Sequence, residues 1–409
     1  MKILLSAFAC VPFAGSEGGV GWRYAVELGK SHQVVVLTDV SRRAAIQNAM
    51  VDMSLPGVQF VYYRPWFLKQ VPLNSLTAKL MFTAWQFSVL PFARYLHGQH
   101  QFDVAWHLTY GLYRTPSFLG YMGVPLVFGP AGGGEDAPLR LKKSITGVEK
   151  LKELVRSVAN WYALINPFLW ISLRRADLLL VKTAQTKMAL PWPYRSKAIA
   201  IQEIGIDDRG LSASDLICRE PGRPLEVLYA GNLLGLKGVH LAIRAISMAR
   251  ERGIDLRFTI VGSGRIEFQL RALATRLGVQ DITKWISRVP QHELFEIYKQ
   301  SHVFLFPSLH DSSGNVVLEA QSFGLPVVCL DLGGPPTLVD ETSAIVVTTS
   351  SRSEEDVVVA LADALVALSV DESKRKSMAS CALMKSASQT WSGRINQIAG
   401  MVETIVKTK

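Results

Sequence analysis

Cysteine is scarce in this sequence. Its 409 residues hold four, Cys10, Cys218, Cys329 and Cys381, far apart and without a CxxC pair. That argues against a disulfide framework or structural zinc and for a reducing compartment. Long apolar runs are missing too. The nearest candidate, residues 157–173, is uncharged but interrupted by Asn160, Asn166 and Pro167 and closed by Arg174-Arg175. It is short and broken for a membrane span. Neither short-period repeats nor low-complexity segments occur, and an apolar content of 49% argues against disorder. Residues 1–10 carry one lysine before an apolar stretch, then Pro12 and glycines. They read as a first buried strand entering a glycine loop rather than as a targeting segment.

Negative charge is short in one half only. Residues 1–205 hold 22 Lys and Arg against 11 Asp and Glu, whereas residues 206–409 hold 22 against 23. The asymmetry points to an anionic surface, membrane or nucleic acid. No nucleic-acid recognition module accompanies it. Residues 66–98 interleave Trp66, Phe67, Phe82, Trp85, Phe87 and Tyr95 with Lys69, Lys79 and Arg94, and a second basic apolar region spans residues 140–175. Both suit a membrane interface. Ordinary helices covering a sheet would look the same.

The length suits two domains. The chain opens with an apolar strand at residues 3–9, the glycine-rich turn Ser16-Glu17-Gly18-Gly19-Val20-Gly21, a helix from Trp22 to Leu28 and a strand at residues 34–38. These glycines do not follow the dinucleotide fingerprint closely. They read equally as a tight turn or as backbone lying against a ligand. Further buried strands end near His107 and at Phe128, the latter feeding Gly132-Gly133-Gly134-Glu135. Open parallel sheets bind ligands beyond the carboxyl ends of their strands, which lifts His107 above an ordinary structural histidine. Residues 203–224 are polar and turn-rich, and read as a linker. A second strand-loop-helix unit follows, with the loop Gly231-Asn232 to Lys237-Gly238 before an amphipathic helix. A cation at a helix N-terminus is disfavoured by the helix dipole, so Lys237 calls for an anion such as a diphosphate. Residues 354–368 and 374–406 read as closing helices.

The most informative stretch is His310-Asp311-Ser312-Ser313-Gly314-Asn315-Val316-Val317-Leu318-Glu319. It follows a buried strand at residues 303–307 and opens a helix at about Asn315, closed by Gly324 with Pro326 beyond. Such a junction aims backbone N–H groups at one spot and suits a phosphate. Asp311 and Glu319 flank that spot as acceptor-only groups, fit for sugar hydroxyls. Together they have the shape of a nucleotide-sugar site.

In order along the chain, Ser16-Glu17-Gly18-Gly19, Gly205-Ile206-Asp207, Gly231…Lys237-Gly238, Gly262-Ser263-Gly264, the Asp311/Glu319 pair, Gly324-Leu325-Pro326-Val327-Val328 and Trp391 resemble the pattern of family-4, retaining GT-B glycosyltransferases of the bacterial polysaccharide-biosynthesis type. The resemblance covers essentially the whole chain. It implies an α/β fold of two doubly wound Rossmann-like domains facing across a cleft. Residues 1–205 would form the acceptor-side domain and residues 206–385 the nucleotide-sugar domain, with a C-terminal helix in 386–409 packing back on the first.

The resemblance also implies roles. Lys237 would bind the donor diphosphate, Glu319 the ribose and Asp311 the donor-sugar hydroxyls. Backbone at Asn315, Val316 and Val317 would hold phosphate, and Gly19 would lie against it from the other domain. His107 would sit near the donor sugar, making Asp311, His107 and Lys237 the catalytic set. Arg288 and Val289 would flank the base. No metal or cofactor is implied, a UDP-sugar or GDP-sugar being a substrate, and no DxD-like acidic pair stands where a metal would need it. Two residues depart from the pattern. Asn232 stands where Arg is usual, which removes a cationic phosphate contact, and Asp311 is one methylene shorter than the more frequent Glu. The implied activity is metal-independent sugar transfer with retention, to an acceptor read as lipid-linked, by a cytoplasmic enzyme at the inner face of the cytoplasmic membrane. Nucleic acid is not an expected partner. A soluble transferase with a small-molecule acceptor and an inactive binding module of the same fold remain the alternatives.

Overall fold

The computed structural model describes residues 1–15, 17–74, 77–145, 147–207 and 223–408. Ser16 of the glycine-rich motif and residues 208–222 of the expected linker lie outside the described residues. The chain divides into two units. Met1–Gly134, Val155–Ile204 and Trp391–Lys409 form the first; Glu135–Leu154 and Gly205–Thr390 form the second.

The first unit is built on a seven-stranded sheet of β1 (Lys2–Ser6), β2 (Gln33–Asp39), β3 (Val58–Tyr63), β4 (Val104–His107), β5 (Leu126–Ala131), β6 (Leu178–Val181) and β7 (Ala198–Ala200). The strand order is β3-β2-β1-β4-β5-β6-β7, and each neighbouring pair is parallel. Strands covered on both faces read as continuous apolar runs, and Ile3, Leu4 and Leu5 of the central β1 are all buried. The helix Ala78–His100 turns Met81, Phe82, Trp85 and Val89 into the core of this unit. The aromatic region is thus split: this helix covers the sheet, while Trp66 and Phe67 stay exposed. No helix among the described residues is long and apolar enough to cross a membrane.

The second unit repeats the plan with β8 (Leu225–Ala230), β9 (Leu256–Val261), β10 (Thr283–Ile286), β11 (Val303–Phe306), β12 (Val327–Leu330) and β13 (Ala344–Val347). Its order is β10-β9-β8-β11-β12-β13. In each sheet the winding reverses direction once, between β1 and β4 and between β8 and β11. Ligands of open parallel sheets settle at such reversals.

Two elements differ from the sequence reading. The first helix runs over Glu17–Gly29, so Gly18, Gly19 and Gly21 are helical rather than loop. Packing overrides their poor propensity here, because a Cβ on Gly19 would lie 1.8 Å from the Ala14 carbonyl oxygen. The closing segment is two helices, Glu372–Ala387 and Trp391–Lys407. Between them the chain is pinned by Gln389, whose side chain donates to the Leu338 carbonyl at 2.9 Å and whose carbonyl accepts from the Ile206 N–H at 2.9 Å. The second of these helices returns to the first unit, where Arg23 lies over the Trp391 ring.

Candidate functional site

The loop after β8 is held against the loop after β11. The N–H groups of Leu309 and His310 donate to the Leu236 carbonyl at 2.9 and 3.1 Å. Gly238 closes the first loop at φ +68°, with no room for a side chain: a Cβ there would lie 1.8 Å from the Pro307 carbonyl oxygen. This contact brings Lys237 to Asp311. The ammonium Nζ lies 2.7 Å from Asp311 Oδ2 and donates to the His310 carbonyl at 3.1 Å. Asp311 Oδ1 accepts from the N–H groups of Ser313 and Gly314 at 3.1 and 2.9 Å. Burial by itself would raise the Asp311 carboxyl, but Lys237 and these donors outweigh it and hold the group below the ordinary carboxylate range. Asp311 is therefore charged at neutral pH.

Asn315, Val316 and Val317 begin the helix Asn315–Gln321, and Glu319 lies one turn further on. Glu319 is held from two sides. Oε1 accepts from Gln291 Nε2 at 2.9 Å, and Oε2 lies 3.4 Å from the Tyr298 hydroxyl, which also donates to the Val316 carbonyl at 3.3 Å. Arg288, exposed, and Val289, half-buried, follow β10 and lead into the helix Gln291–Lys299 that supplies Gln291 and Tyr298. Asn232 is exposed, and its carbonyl accepts from the Tyr229 hydroxyl at 3.2 Å. The second unit thus places Lys237, Asp311, Asn315, Val316, Val317 and Glu319 along one loop-and-helix junction at its strand-order reversal.

A buried carboxylate that sequence reasoning passed over joins them. Glu135 is 1% exposed, accepts from the Ser312 hydroxyl at 2.7 Å, and its carbonyl lies 3.0 Å from His310 Nδ1. Its only sequence signal is an acid placed straight after three glycines. Among the described residues no group of three His, Cys, Asp or Glu side chains is arranged to hold a metal ion.

Gly19 and His107 belong to the first unit, on the elements that meet its own reversal. His107 is 1% exposed and stacked on Phe128 at 5.1 Å, with Nδ1 3.5 Å from Gln86 Nε2. Burial lowers it to about 4, so the ring is neutral at pH 7. An unfolded histidine titrates near 6.5. Between these values the unfolded chain binds a proton that the folded chain refuses, so stability falls as pH drops from 6.5 toward 4. For one group the loss is on the order of 3 kcal/mol. His107→Gln should flatten that part of the Tm-against-pH curve, leaving the shares due to His240, which burial also lowers to about 4, and His32, which burial lowers as well. An unchanged acid slope would show that His107 is not held neutral by its surroundings.

Solved structures match the fold across the whole chain. The lipopolysaccharide outer core galactosyltransferase WaaB aligns over 99% of both chains with a TM-score of 0.67 at 12% identity. Sucrose-phosphate synthase from Thermosynechococcus elongatus aligns over 100% of both at 0.64 and 14%. The fold is GT-B. By sequence, residues 218–382 match the model of the family glycosyl transferases group 1, a span that contains most of this GT-B chain's second unit. WcaL of Escherichia coli, whose name assigns it as a colanic acid biosynthesis glycosyltransferase, is 32% identical over 178 residues, 41% of this chain and 42% of WcaL. D-inositol 3-phosphate glycosyltransferase of Corynebacterium aurimucosum is 32% identical over 241 residues, 54% of this chain and 56% of that protein. The chain thus spans about half the length of these relatives.

Proposed function

We propose that this GT-B chain is a family-4, retaining glycosyltransferase that moves a sugar from a nucleotide-sugar donor to an acceptor. The observation that carries the reading is the Lys237–Asp311 pair at 2.7 Å on the strand-order reversal of the second sheet, with Glu319 held one turn along the adjoining helix. Transfer from such a donor releases a nucleoside diphosphate, so the main task is to stabilise charge developing on the leaving group. Lys237 supplies a positive charge there without a metal. Asp311, held ionised, accepts from donor-sugar hydroxyls, and Glu319 accepts from ribose hydroxyls. Gln291 and Tyr298 keep Glu319 in place before the ligand arrives, which reduces the ordering cost of binding. We assign no protein nucleophile; the donor phosphate itself takes the acceptor's proton as the bond to the leaving group breaks.

The acceptor in this reading is a lipid-linked saccharide in surface-polysaccharide or glycolipid assembly, met at the inner face of the cytoplasmic membrane. The match to lipopolysaccharide and colanic acid transferases and the basic first half support it. Anabaena HepE, of the same fold with a TM-score of 0.62, was solved in complex with UDP, which makes UDP the first nucleotide to try.

The test is a thermal-shift titration with UDP, GDP and ADP and their sugar conjugates. One nucleotide should raise Tm, by mass action on the folded state. Glu319→Gln should weaken that nucleotide about tenfold, the scale of a hydrogen bond to a charged group. No shift with any of the three, or an unchanged affinity in the variant, would remove the site from the second unit. Donor binding without turnover over a broad acceptor panel would instead favour the inactive binding module.

A further inference from the structure

The second unit holds a cavity of about 810 Å³, walled by the helices Val239–Glu251 and Glu267–Arg276 and by residues just before and within the turn Gly235–Lys237 and the 135–154 segment. All of its wall belongs to this unit. The volume is that of a small-molecule pocket, and none of Lys237, Asp311, Asn315 and Glu319 lines it. Much of the wall is apolar. Ile266, Leu270, Leu273 and Leu277 line it at helical spacing. Phe268, also on the wall, is left 81% exposed.

The charge on this wall is one-sided. Arg244, Arg265 and Arg276 share it with a single carboxylate, Glu149, which already accepts from the Gly235 N–H at 2.6 Å. Arg244 is paired with Glu354 at 2.8 Å. Arg265 and Arg276 are exposed and form no ion pair among the described residues. They bracket the helix Glu267–Arg276, which is about 15 Å long. His240, one turn before Arg244, is 9% exposed, and its buried Nε2 has no hydrogen-bond partner. Leaving a buried polar atom unpaired is costly, so such atoms are rare. Guanidinium groups match carboxylate, sulfonate and phosphate oxygens with paired N–H donors. Two unpaired guanidiniums and an unsatisfied imidazole nitrogen on an apolar wall are complementary to an anion carried on an apolar body.

We infer that this cavity binds a small organic anion, one carboxylate, sulfonate or phosphate group on an apolar body, apart from the Lys237–Asp311 junction. The two places adjoin at one point. Glu149 bonds Gly235, the first residue of the turn Gly235–Lys237, so a ligand in the cavity sits beside the turn that carries Lys237. The inference does not rest on the donor reading.

The experiment is a fluorescence titration of the full chain with anilinonaphthalene sulfonate and with phenylnaphthylamine, which has the same rings without the anionic group. Wild type should bind the sulfonate saturably, one per chain. The uncharged probe should bind about tenfold more weakly, the scale of hydrogen bonds to a charged group. Arg265→Ala with Arg276→Ala should weaken the sulfonate about tenfold as well, with circular dichroism and the urea midpoint as in wild type. Saturating UDP should leave the bound sulfonate in place. No saturable binding, or equal affinity for the two probes, would overturn the inference. So would wild-type sulfonate binding by the arginine variant. Displacement by UDP would overturn it too, because the probe would then occupy the site proposed for the donor.

Discussion

Lys237→Ala is expected to lower kcat/KM for the nucleotide-sugar donor by about 100- to 1,000-fold, the scale seen when one group stabilising developing charge is removed. Two effects combine. On the function proposed above, a leaving diphosphate would lose the positive charge of Lys237, and Asp311, whose side chain is only 18% exposed, loses its 2.7 Å counter-ion. With Lys237 gone, burial acts on Asp311 with less opposition, its carboxyl rises, and its capacity to accept from sugar hydroxyls falls. Lys237→Ala combined with Asp311→Asn should recover stability lost by the single variant, because no unpaired charge remains, and recover no activity. Steady-state kinetics and urea unfolding on the three variants decide the matter. Activity of Lys237→Ala within a few-fold of wild type would mean that the diphosphate is bound elsewhere.

Gly238→Val should be strongly destabilising. The position has φ +68°, which a β-branched residue rarely adopts, and the new Cβ would overlap the Pro307 backbone. Backbone strain of this kind costs on the order of 1–3 kcal/mol before the overlap is counted. The clash cannot be relieved by a side-chain rotation, since the opposing atom is main chain at the end of β11. We expect a loss of about 3–5 kcal/mol in urea unfolding, with donor affinity falling as well because Lys237 is the preceding residue. Gly238→Ala should show the same two effects at smaller size. A wild-type unfolding midpoint in the valine variant would contradict the close approach of the two loops.

These two positions also show what the sequence made legible. Lys237, Asp311 and Glu319 were readable because each lies within a short strand-loop-helix segment whose apolar run, glycine and helix start are local signals. The two parallel sheets were readable for the same reason, since strands buried on both faces announce themselves as unbroken apolar runs. What stayed hidden is set by distance along the chain or by competition between signals. Glu135 meets Ser312 across 177 residues, and nothing near either residue encodes the meeting. The glycines at 18, 19 and 21 carry a turn signal that tight packing against Val11, Ala14 and Ala9 overrules. The polar Ser388-Gln389-Thr390 break is a matter of where Gln389 finds partners, Leu338 and Ile206. Helical periodicity on either side of it gives no warning.

The segment Glu135–Leu154 belongs with the second unit although it leaves the chain of the first. Glu135 bonds Ser312, Ser144 bonds Glu354, and Glu149 bonds the Gly235 N–H. Cutting the chain once near residue 205 therefore yields no self-sufficient half: a fragment starting there lacks three of its own partners, one of them at the candidate site. The same holds for exchange between relatives. A chimera joined at the linker would pair a Glu135–Leu154 segment evolved for one second unit with the loops of another, so a working swap has to carry that segment along as a second, separate insert.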